Sequence, residues 1–234
     1  CTYTLGLLWQ TKKKGVKVTK ILSGPKKKSI SGKNNEVVIF FHGYGADGND
    51  LISLSDSFSK ILPDAIFYSP NAPEKCYMGG FGYQWFPIKQ NNDGSLDLYA
   101  EKEILNSIKL INNYIDKIEF DTGINSKDFI LIGFSQGTMM ILETLLSREK
   151  KISAIIGFSG SFLNITDKIS KINFDTPILL IHGDADNVVP KEMTSLAQKN
   201  LNSLGYCVDT YFSNGLSHGI SLDGLTKATQ FLKK

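Results

Sequence analysis

The stretch Phe129-Ile130-Leu131-Ile132-Gly133-Phe134-Ser135-Gln136-Gly137 decides the fold of this 234-residue chain. Its first four residues are apolar and predict a buried strand, while residues 136–146 are compatible with a helix. A Gly-x-Ser-x-Gly pattern between a strand and a helix predicts a nucleophile elbow, a strained turn that points the serine hydroxyl out of the sheet. Both glycines are needed because side chains at their positions would collide with neighbouring backbone.

Short apolar strands alternate with amphipathic helices along the rest of the chain. The predicted strands span residues 37–41, 65–68, 129–132, 152–158, 178–181 and 208–212. The predicted helices span residues 50–62, 98–118, 136–146, 191–204 and 222–232, and residues 69–96 are expected to be irregular. Near-continuous apolar strands separated by helices indicate a mostly parallel sheet covered on both faces, with ligands at the carboxyl ends of the strands. We therefore predict a single α/β domain over residues 1–234.

The composition argues against a nucleic-acid partner and against stable membrane insertion. The net charge is only +3, and Arg148 is the sole arginine, although arginine is preferred for bidentate contacts with phosphates and bases. The lysine clusters at residues 12–14 and 26–28 are interpreted as solvated loop or edge-strand charges, with contact to an anionic membrane surface as the alternative. The sequence contains no run of about 18 apolar residues, which a spanning helix requires.

The cysteines Cys1, Cys76 and Cys207 are odd in number and lack the spacing of metal ligands. They indicate reduced thiols, as expected of a cytoplasmic protein. The sequence therefore predicts neither a disulfide framework nor a cysteine-based metal site.

His218 is the histidine expected to serve as general base for Ser135. A serine hydroxyl is a poor nucleophile, so it needs a base, and the base needs an orienting acid. His42 and His182 each end an apolar strand and precede a glycine, whereas His218 lies in the loop 213–219 before the last helix. In hydrolases of this type the chain order is serine, acid, histidine, and only His218 follows Ser135 with a convincing carboxylate between them.

Asp184 and Asp186 are the candidates for the acid, because both follow the predicted strand 178–181 at its carboxyl end. One of them can face the imidazole, while the other would cap a turn or the helix that starts near Lys191. Spacing alone does not separate the two, and we prefer Asp186.

An oxyanion hole must stabilise the charge that develops on a substrate carbonyl oxygen. One donor is expected to be the backbone N–H of Gln136, directly after the serine and at a helix N-terminus. The second is expected from the glycine-rich segment 40–48, whose glycines let the backbone approach a substrate and where His42 supports the loop. A phosphate-binding loop is the weaker interpretation of this segment.

Five ordered motifs together resemble the phospholipase/carboxylesterase family of α/β-hydrolases, to which acyl-protein thioesterases belong. The motifs are Phe-His-Gly-Tyr-Gly-Ala-Asp-Gly, Ser-Pro-Asn-Ala-Pro, Gly-Phe-Ser-Gln-Gly, His-Gly-Asp-Ala-Asp-Asn-Val-Val-Pro and Ser-His-Gly. The resemblance implies the α/β-hydrolase fold, with Ser135 as nucleophile, Asp186 as acid and His218 as base. It also implies an oxyanion hole formed by the backbone N–H groups of Tyr44 and Gln136, no metal or organic cofactor, and covering loops that can make homodimer contacts.

The glycine- and aromatic-rich segment 76–88 is interpreted either as a covering loop packed on the core or as an apolar wall that binds an acyl chain. On the second interpretation the substrate-binding residues are Met78, Phe81, Trp85, Phe162 and Leu163. The expected function is a serine esterase or thioesterase acting on short- to medium-chain esters, lysophospholipids or S-acylated proteins. The alternatives are a peptidase or polar-ester hydrolase on the same scaffold and a catalytically silent binding protein.

Overall fold

The computed structural model describes residues 21–76, 82–90, 96–97, 100–167 and 169–233, and its centre is a seven-stranded sheet. In chain order the strands are β1 (Lys26–Lys27), β2 (Glu36–Phe41), β3 (Ala65–Tyr68), β4 (Glu74–Lys75), β5 (Tyr83–Gln84), β6 (Lys89–Gln90), β7 (Leu96–Asp97), β8 (Phe129–Phe134), β9 (Ala154–Phe158), β10 (Ile178–Gly183) and β11 (Val208–Ser213). The strands β4 and β5 form one small ribbon, and β6 and β7 form another; apart from Asp97, both lie within residues 69–96, which were predicted to be irregular.

The order of strands in the main sheet is β1-β3-β2-β8-β9-β10-β11. Only β1 runs antiparallel to its neighbour β3, and the other pairs are parallel, which confirms the predicted mostly parallel sheet. The edge strand β1 consists of two lysines of the cluster 26–28, in agreement with their interpretation as edge charges. The cluster at residues 12–14 lies outside the described residues.

Six helices flank the sheet in the described part of the chain. They are α1 (Gly48–Ile52), α2 (Ser55–Phe58), α3 (Glu101–Thr122), α4 (Gln136–Ser147), α5 (Glu192–Ser203) and α6 (Leu222–Phe231), with short 3-10 turns at Ser126–Asp128 and Lys171–Asn173. Among these helices, none has both the length and the apolar character that a membrane span requires.

Two of the predicted helices differ from the structure. The segment 50–62 forms the short α1 and α2, because the hydroxyls of Ser53 and Ser55 bond backbone carbonyls at 3.0 and 2.5 Å and favour a turn between them. Helix α3 runs past the predicted end at residue 118 and stops at Gly123, whose φ of 72° is the left-handed conformation that ends many helices. The only apolar residue of its last turn is the exposed Phe120, so no apolar periodicity predicts this end.

Both faces of the sheet are buried, as alternate residues of β2 demonstrate. Val37, Ile39 and Phe41 pack in the core that contains side chains of α3, α4 and α5. Val38 and Phe40 pack in the opposite core with side chains of α1, α2 and α6. The structure therefore has three layers and the α/β-hydrolase fold, as predicted.

Candidate active site

Ser135 lies on a strained turn between β8 and α4. Its φ of 53° and ψ of −117° lie in a region that residues with side chains rarely adopt. Its backbone N–H donates to the carbonyl oxygen of Phe158 at 2.8 Å, which anchors the turn to β9. A Cβ on Gly133 would lie 2.5 Å from the backbone of α4, and one on Gly137 would overlap the carbonyl oxygen of Phe41. Close backbone approach therefore explains why glycine stands at both positions.

His218 lies between Ser135 and Asp186. Its Nε2 is 3.0 Å from the Ser135 Oγ, and its Nδ1 is 2.7 Å from the Asp186 Oδ2. Because an ionised carboxylate only accepts hydrogen bonds, Nδ1 carries the proton and Nε2 can accept from the serine hydroxyl. Ser135 is 8% exposed and the His218 side chain 17%, so part of each residue remains accessible to solvent. Ser135, His218 and Asp186, the preferred of the two candidate acids, are thus linked by these two contacts.

The Asp186 side chain is fully buried and receives several hydrogen bonds. Its Oδ1 accepts the backbone N–H groups of Val188 and Val189, both at 2.9 Å. Burial acts to raise the pKa of this carboxyl, but hydrogen bonds from His218 and from the two backbone N–H groups outweigh burial and lower the pKa below its usual value. The carboxylate is therefore ionised at neutral pH and can orient the imidazole.

Asp184 occupies a separate turn. Its Oδ1 accepts the backbone N–H of Gly215 at 2.6 Å, and its own N–H donates to the carbonyl oxygen of Ser213 at 3.0 Å. These bonds tie the end of β10 to the loop that carries His218. Of the two aspartates that spacing left open, the structure places Asp186 against the imidazole and Asp184 in a turn cap.

The loop after β2 passes directly beside the elbow, since a Cβ added to Gly43 would lie 3.2 Å from the Cβ of Ser135. His42 supports this loop from below. Its Nε2 accepts the Ala72 N–H at 3.0 Å, so its Nδ1 carries the proton and donates to the Gly43 carbonyl oxygen at 2.8 Å. Burial lowers the pKa of His42 more than its bond to Gly43 raises it. His42 is therefore a neutral support, as the sequence suggested.

Tyr44 and Gln136 both border the space beside Ser135. Among the described residues, no acceptor receives the backbone N–H of Tyr44 or that of Gln136. The loop is held in place by the next residue, Gly45, whose N–H donates to the carbonyl oxygen of Tyr83 at 3.0 Å. Two N–H groups next to the serine are thus available to a ligand.

The same loop has the Gly-x-Gly-x-x-Gly spacing of dinucleotide-binding loops at residues 43–48. The helix that follows, α1, has only five residues, and the Asp47 carboxylate accepts the N–H groups of Asn49 and Asp50 at 2.7 and 3.3 Å. A carboxylate of the protein itself thus fills the position where a phosphate would bind. Within the described ranges, no cluster of three or more His, Cys, Asp or Glu side chains could hold a metal ion.

A cavity of about 410 Å³ opens beside Ser135, within the size range of small-ligand sites. Its polar lining comes from Ser135, His218, Tyr44, Gln136 and Ser161. The remaining walls are apolar and consist of Ile88, Met139, Val188, Val189, Pro190 and Met193. The site can therefore hold an apolar chain next to a polar reacting group.

The residues predicted to bind substrate lie elsewhere or outside the described residues. Trp85 is fully buried, and its indole Nε1 donates to the carbonyl oxygen of His42 at 2.9 Å. Phe162 is buried in the core that faces α3 and α4, and Leu163 packs against the same core. Met78 and Phe81 fall outside the described residues.

Ile88 ends the segment 76–88 that was interpreted as a possible apolar wall, and it does line the cavity. The other apolar wall residues were missed in the sequence, although two signals pointed to them. Val188, Val189 and Pro190 follow Asp186 within the same motif, so the turn that presents the carboxylate also presents them. Met139 lies four residues after Ser135, which places it one helical turn from the serine. Met193 could not be identified in this way, because it reaches the cavity from α5.

Comparison with known proteins adds to this geometry. A family model described as Phospholipase/Carboxylesterase matches residues 26–234. Acyl-protein thioesterase 1 of Gibberella zeae is 30% identical over 217 residues, which is 87% of this chain and 92% of that protein. The crystal structure of esterase PE8 is similar with a TM-score of 0.84 and 37% identity, covering 92% of this chain and 99% of that one. A protein of Oryza sativa subsp. japonica with the name "Probable inactive carboxylesterase" is 27% identical over 209 residues, 84% of this chain and 83% of that protein.

Proposed function

The chain belongs to the phospholipase/carboxylesterase family, and we propose that it is a serine hydrolase that cleaves carboxylic ester or thioester bonds of short- to medium-chain acyl substrates. The observation that carries this proposal is the position of His218, 3.0 Å from the Ser135 Oγ and 2.7 Å from the Asp186 Oδ2. A nucleophile, a base and an orienting acid in this relation form the triad of serine hydrolases.

In the first half of the proposed reaction, the Ser135 Oγ attacks the acyl carbonyl carbon while His218 Nε2 takes the hydroxyl proton. Asp186 holds Nδ1–H and stabilises the imidazolium. The bond to the leaving alcohol or thiol then breaks, the leaving group takes the proton from Nε2, and an acyl-enzyme remains. In the second half water attacks the acyl-enzyme with the same base, which releases the carboxylic acid and restores Ser135.

The backbone N–H groups of Tyr44 and Gln136 are proposed to hold the oxyanion of the tetrahedral intermediate. Both residues border the space beside Ser135, and within the described residues neither N–H has an acceptor. Gln136 is also the first residue of α4, where the helix dipole favours negative charge. Donors that are already in position stabilise the developing charge without reorganisation. Each such donor lowers the activation free energy by about 3–4 kcal/mol in comparable sites.

The apolar cavity supports an acyl chain as the part of the substrate that is recognised. Its walls consist of methionine, proline and aliphatic side chains. Each methylene group of an acyl chain that is buried against them adds about 0.8 kcal/mol to the binding free energy. Met139 and Met193 are flexible wall residues that can adjust to chains of different length. Candidate substrates are therefore simple carboxylic esters, lysophospholipids and S-acylated proteins, the last by analogy with relatives named acyl-protein thioesterases.

A catalytically silent binding protein is the second candidate, because one relative has a name that includes the word inactive. A fluorophosphonate probe separates the two candidates, since it reacts only with an activated serine. We expect the wild type to be labelled on Ser135 and Ser135→Ala to remain unlabelled. A folded wild type that is not labelled would overturn the hydrolase proposal.

Substrate class is tested by initial rates on p-nitrophenyl esters of increasing chain length, with the corresponding acyl-thioesters and an anilide alongside. We expect turnover of esters and thioesters with an optimum at short to medium chains. Hydrolysis of the anilide without hydrolysis of the esters would favour a peptidase instead. Ser135→Ala is the control in each assay.

A further inference from the structure

A second histidine lies directly behind Asp186. His182, in β10, is fully buried, and its Nε2 is 3.1 Å from the Asp186 Oδ2 and 2.8 Å from the carbonyl oxygen of Val189. Its Nδ1 is 2.7 Å from the Oγ1 of Thr194, a buried residue of α5. The proposed triad uses none of these contacts.

The partners of His182 assign its protons. A carbonyl oxygen can only accept, so the short contact with Val189 requires a hydrogen on Nε2. That N–H donates to the Val189 carbonyl oxygen, and the Asp186 Oδ2 lies 3.1 Å from the same nitrogen as an electrostatic contact. In the neutral imidazole Nδ1 is then an acceptor, and the Thr194 hydroxyl donates to it. Thr194 thus selects the tautomer whose Nε2–H bonds Val189 beside Asp186.

We propose that His182 is a positioning residue for the triad acid, and this inference rests on the proposed function. Hydrogen bonds hold both oxygens of the Asp186 carboxylate. Oδ1 accepts the two backbone N–H groups of its own turn, and Oδ2 accepts from His218 while His182 Nε2 lies 3.1 Å from it. His182 also holds the far end of the turn through Val189, so it fixes both the carboxylate and the backbone that carries it.

Removal of the His182 side chain would take away one hydrogen bond and one electrostatic contact. The Val189 carbonyl oxygen would lose the bond from Nε2, and Oδ2 would lose the nitrogen that lies 3.1 Å from it. The carboxylate could then rotate about its bond to Cβ and draw the imidazole away from Ser135. A displacement of about 1 Å in such a group lowers a rate by about a hundredfold.

Two amide variants separate positioning from packing. In His182→Gln the side-chain NH₂ reaches the place of Nε2, where it can donate to the Val189 carbonyl oxygen and lies beside Asp186. In His182→Asn the shorter amide reaches the place of Nδ1 and can bond only Thr194. We expect kcat to fall about 10–100-fold in His182→Asn with KM within about twofold of wild type, as found when outer hydrogen-bond partners are removed. Most of kcat should be recovered in His182→Gln.

Thr194 supplies a second, milder test that does not depend on the folding of the His182 variants. Thr194→Val removes only the hydroxyl that selects the tautomer, and Thr194→Ser keeps it. We expect kcat of Thr194→Val to fall several-fold, that of Thr194→Ser to fall less, and Thr194→Val to add nothing to His182→Asn in the double variant. The matched control is Thr226→Val, because Thr226 is exposed on α6 and its hydroxyl bonds only a helix carbonyl.

A readout without turnover separates this inference from the proposed function. The proton of the bond between His218 Nδ1 and Asp186 gives a downfield NMR resonance, which is assigned by its loss in His218→Ala. We expect it to persist in wild type and His182→Gln and to shift or disappear in His182→Asn and Thr194→Val. If the resonance behaves in this way across the variants but the wild type does not hydrolyse esters, the proposed function is wrong and the positioning role of His182 stands. The inference is overturned if the resonance is unchanged in His182→Asn, or if His182→Gln and His182→Asn lose kcat equally.

Discussion

The side-chain carbonyl oxygen of Gln136 accepts the backbone N–H of Trp85 at 2.8 Å. Its amide nitrogen donates in turn to the carbonyl oxygen of Phe86, also at 2.8 Å. Gln136 is only 1% exposed, so both bonds are buried. The residue after the serine therefore fastens the covering segment to the elbow through its side chain, while its backbone N–H is left for a substrate.

Replacement of this side chain should loosen the covering segment. Gln136→Ala leaves two buried backbone groups unpaired, so we expect the free energy of unfolding to fall by about 1–3 kcal/mol. We also expect kcat to fall at least about tenfold, because the donor next to Ser135 loses its fixed position. Urea unfolding and initial rates measure the two effects.

The matched control is Gln198→Ala, because the Gln198 amide nitrogen donates to the Val208 carbonyl oxygen at 2.8 Å and the residue does not border the cavity. We expect a loss of about 1 kcal/mol in stability without a change in kcat. Equal kcat in the two variants would show that Gln136 has only a structural role.

The two aspartates after β10 should respond differently to the same change. In Asp186→Asn the amide can present an N–H to His218 and favour the wrong tautomer, so we expect kcat to fall about 10⁴-fold. In Asp184→Asn the amide oxygen still accepts the Gly215 N–H, so kcat should stay within a few-fold of wild type. Steady-state rates on one ester suffice, and a larger loss in Asp184→Asn would reverse the assignment of the acid.

The apolar cavity predicts a variant with altered chain-length preference. Met193→Trp enlarges a wall residue, so the longest accepted acyl chain should become shorter while rates on acetyl esters change little. Leu196→Trp is the control, because Leu196 lies on the same helix but is 46% exposed and does not border the cavity. The measurement is kcat/KM across a series of p-nitrophenyl esters. A parallel loss on all chain lengths would argue against this wall.

Stability should depend on pH through His42. Burial holds the pKa of His42 in the folded state below the ordinary value of about 6.5, so its contribution to stability is complete above that value. As the pH falls below it, the unfolded chain takes up the proton first and the free energy of unfolding decreases. In His42→Gln the side-chain oxygen can still accept the Ala72 N–H but does not titrate.

Urea unfolding measured from neutral pH to about pH 5 tests this linkage. We expect a smaller decrease in stability for His42→Gln than for wild type over the same range. Asp186 also lowers stability as the pH falls, but in a more acidic range. Its pKa in the folded state is below the ordinary carboxyl value, so its contribution to the free energy of unfolding is complete above that value and is lost as the pH falls through the lowered pKa. Identical slopes in the two proteins would contradict the assignment of His42 as a neutral support.

Local patterns in the sequence were enough to predict most strands and the elbow at Ser135. The spacing of apolar residues predicts buried strands and helices, and two glycines at fixed positions around a serine predict the elbow. The predictions failed where a boundary was set by polar residues, as between α1 and α2 and at the end of α3. At these boundaries the helices are ended by hydrogen bonds from serine hydroxyls or by a glycine in the left-handed conformation. Neither feature changes the hydrophobic pattern.

The sequence by itself determined that Ser135, an acid after β10 and His218 follow one another in the chain and lie at strand ends. Each of these positions is recognised from residues that are adjacent in the chain. Only the tertiary structure decided which aspartate faces the imidazole, which side chains form the cavity and what stands behind Asp186. His218 meets Ser135 across 83 positions, and Thr194 meets His182 from a separate helix. Such contacts depend on how loops return to one edge of the sheet, and that path is set by the packing of the whole domain.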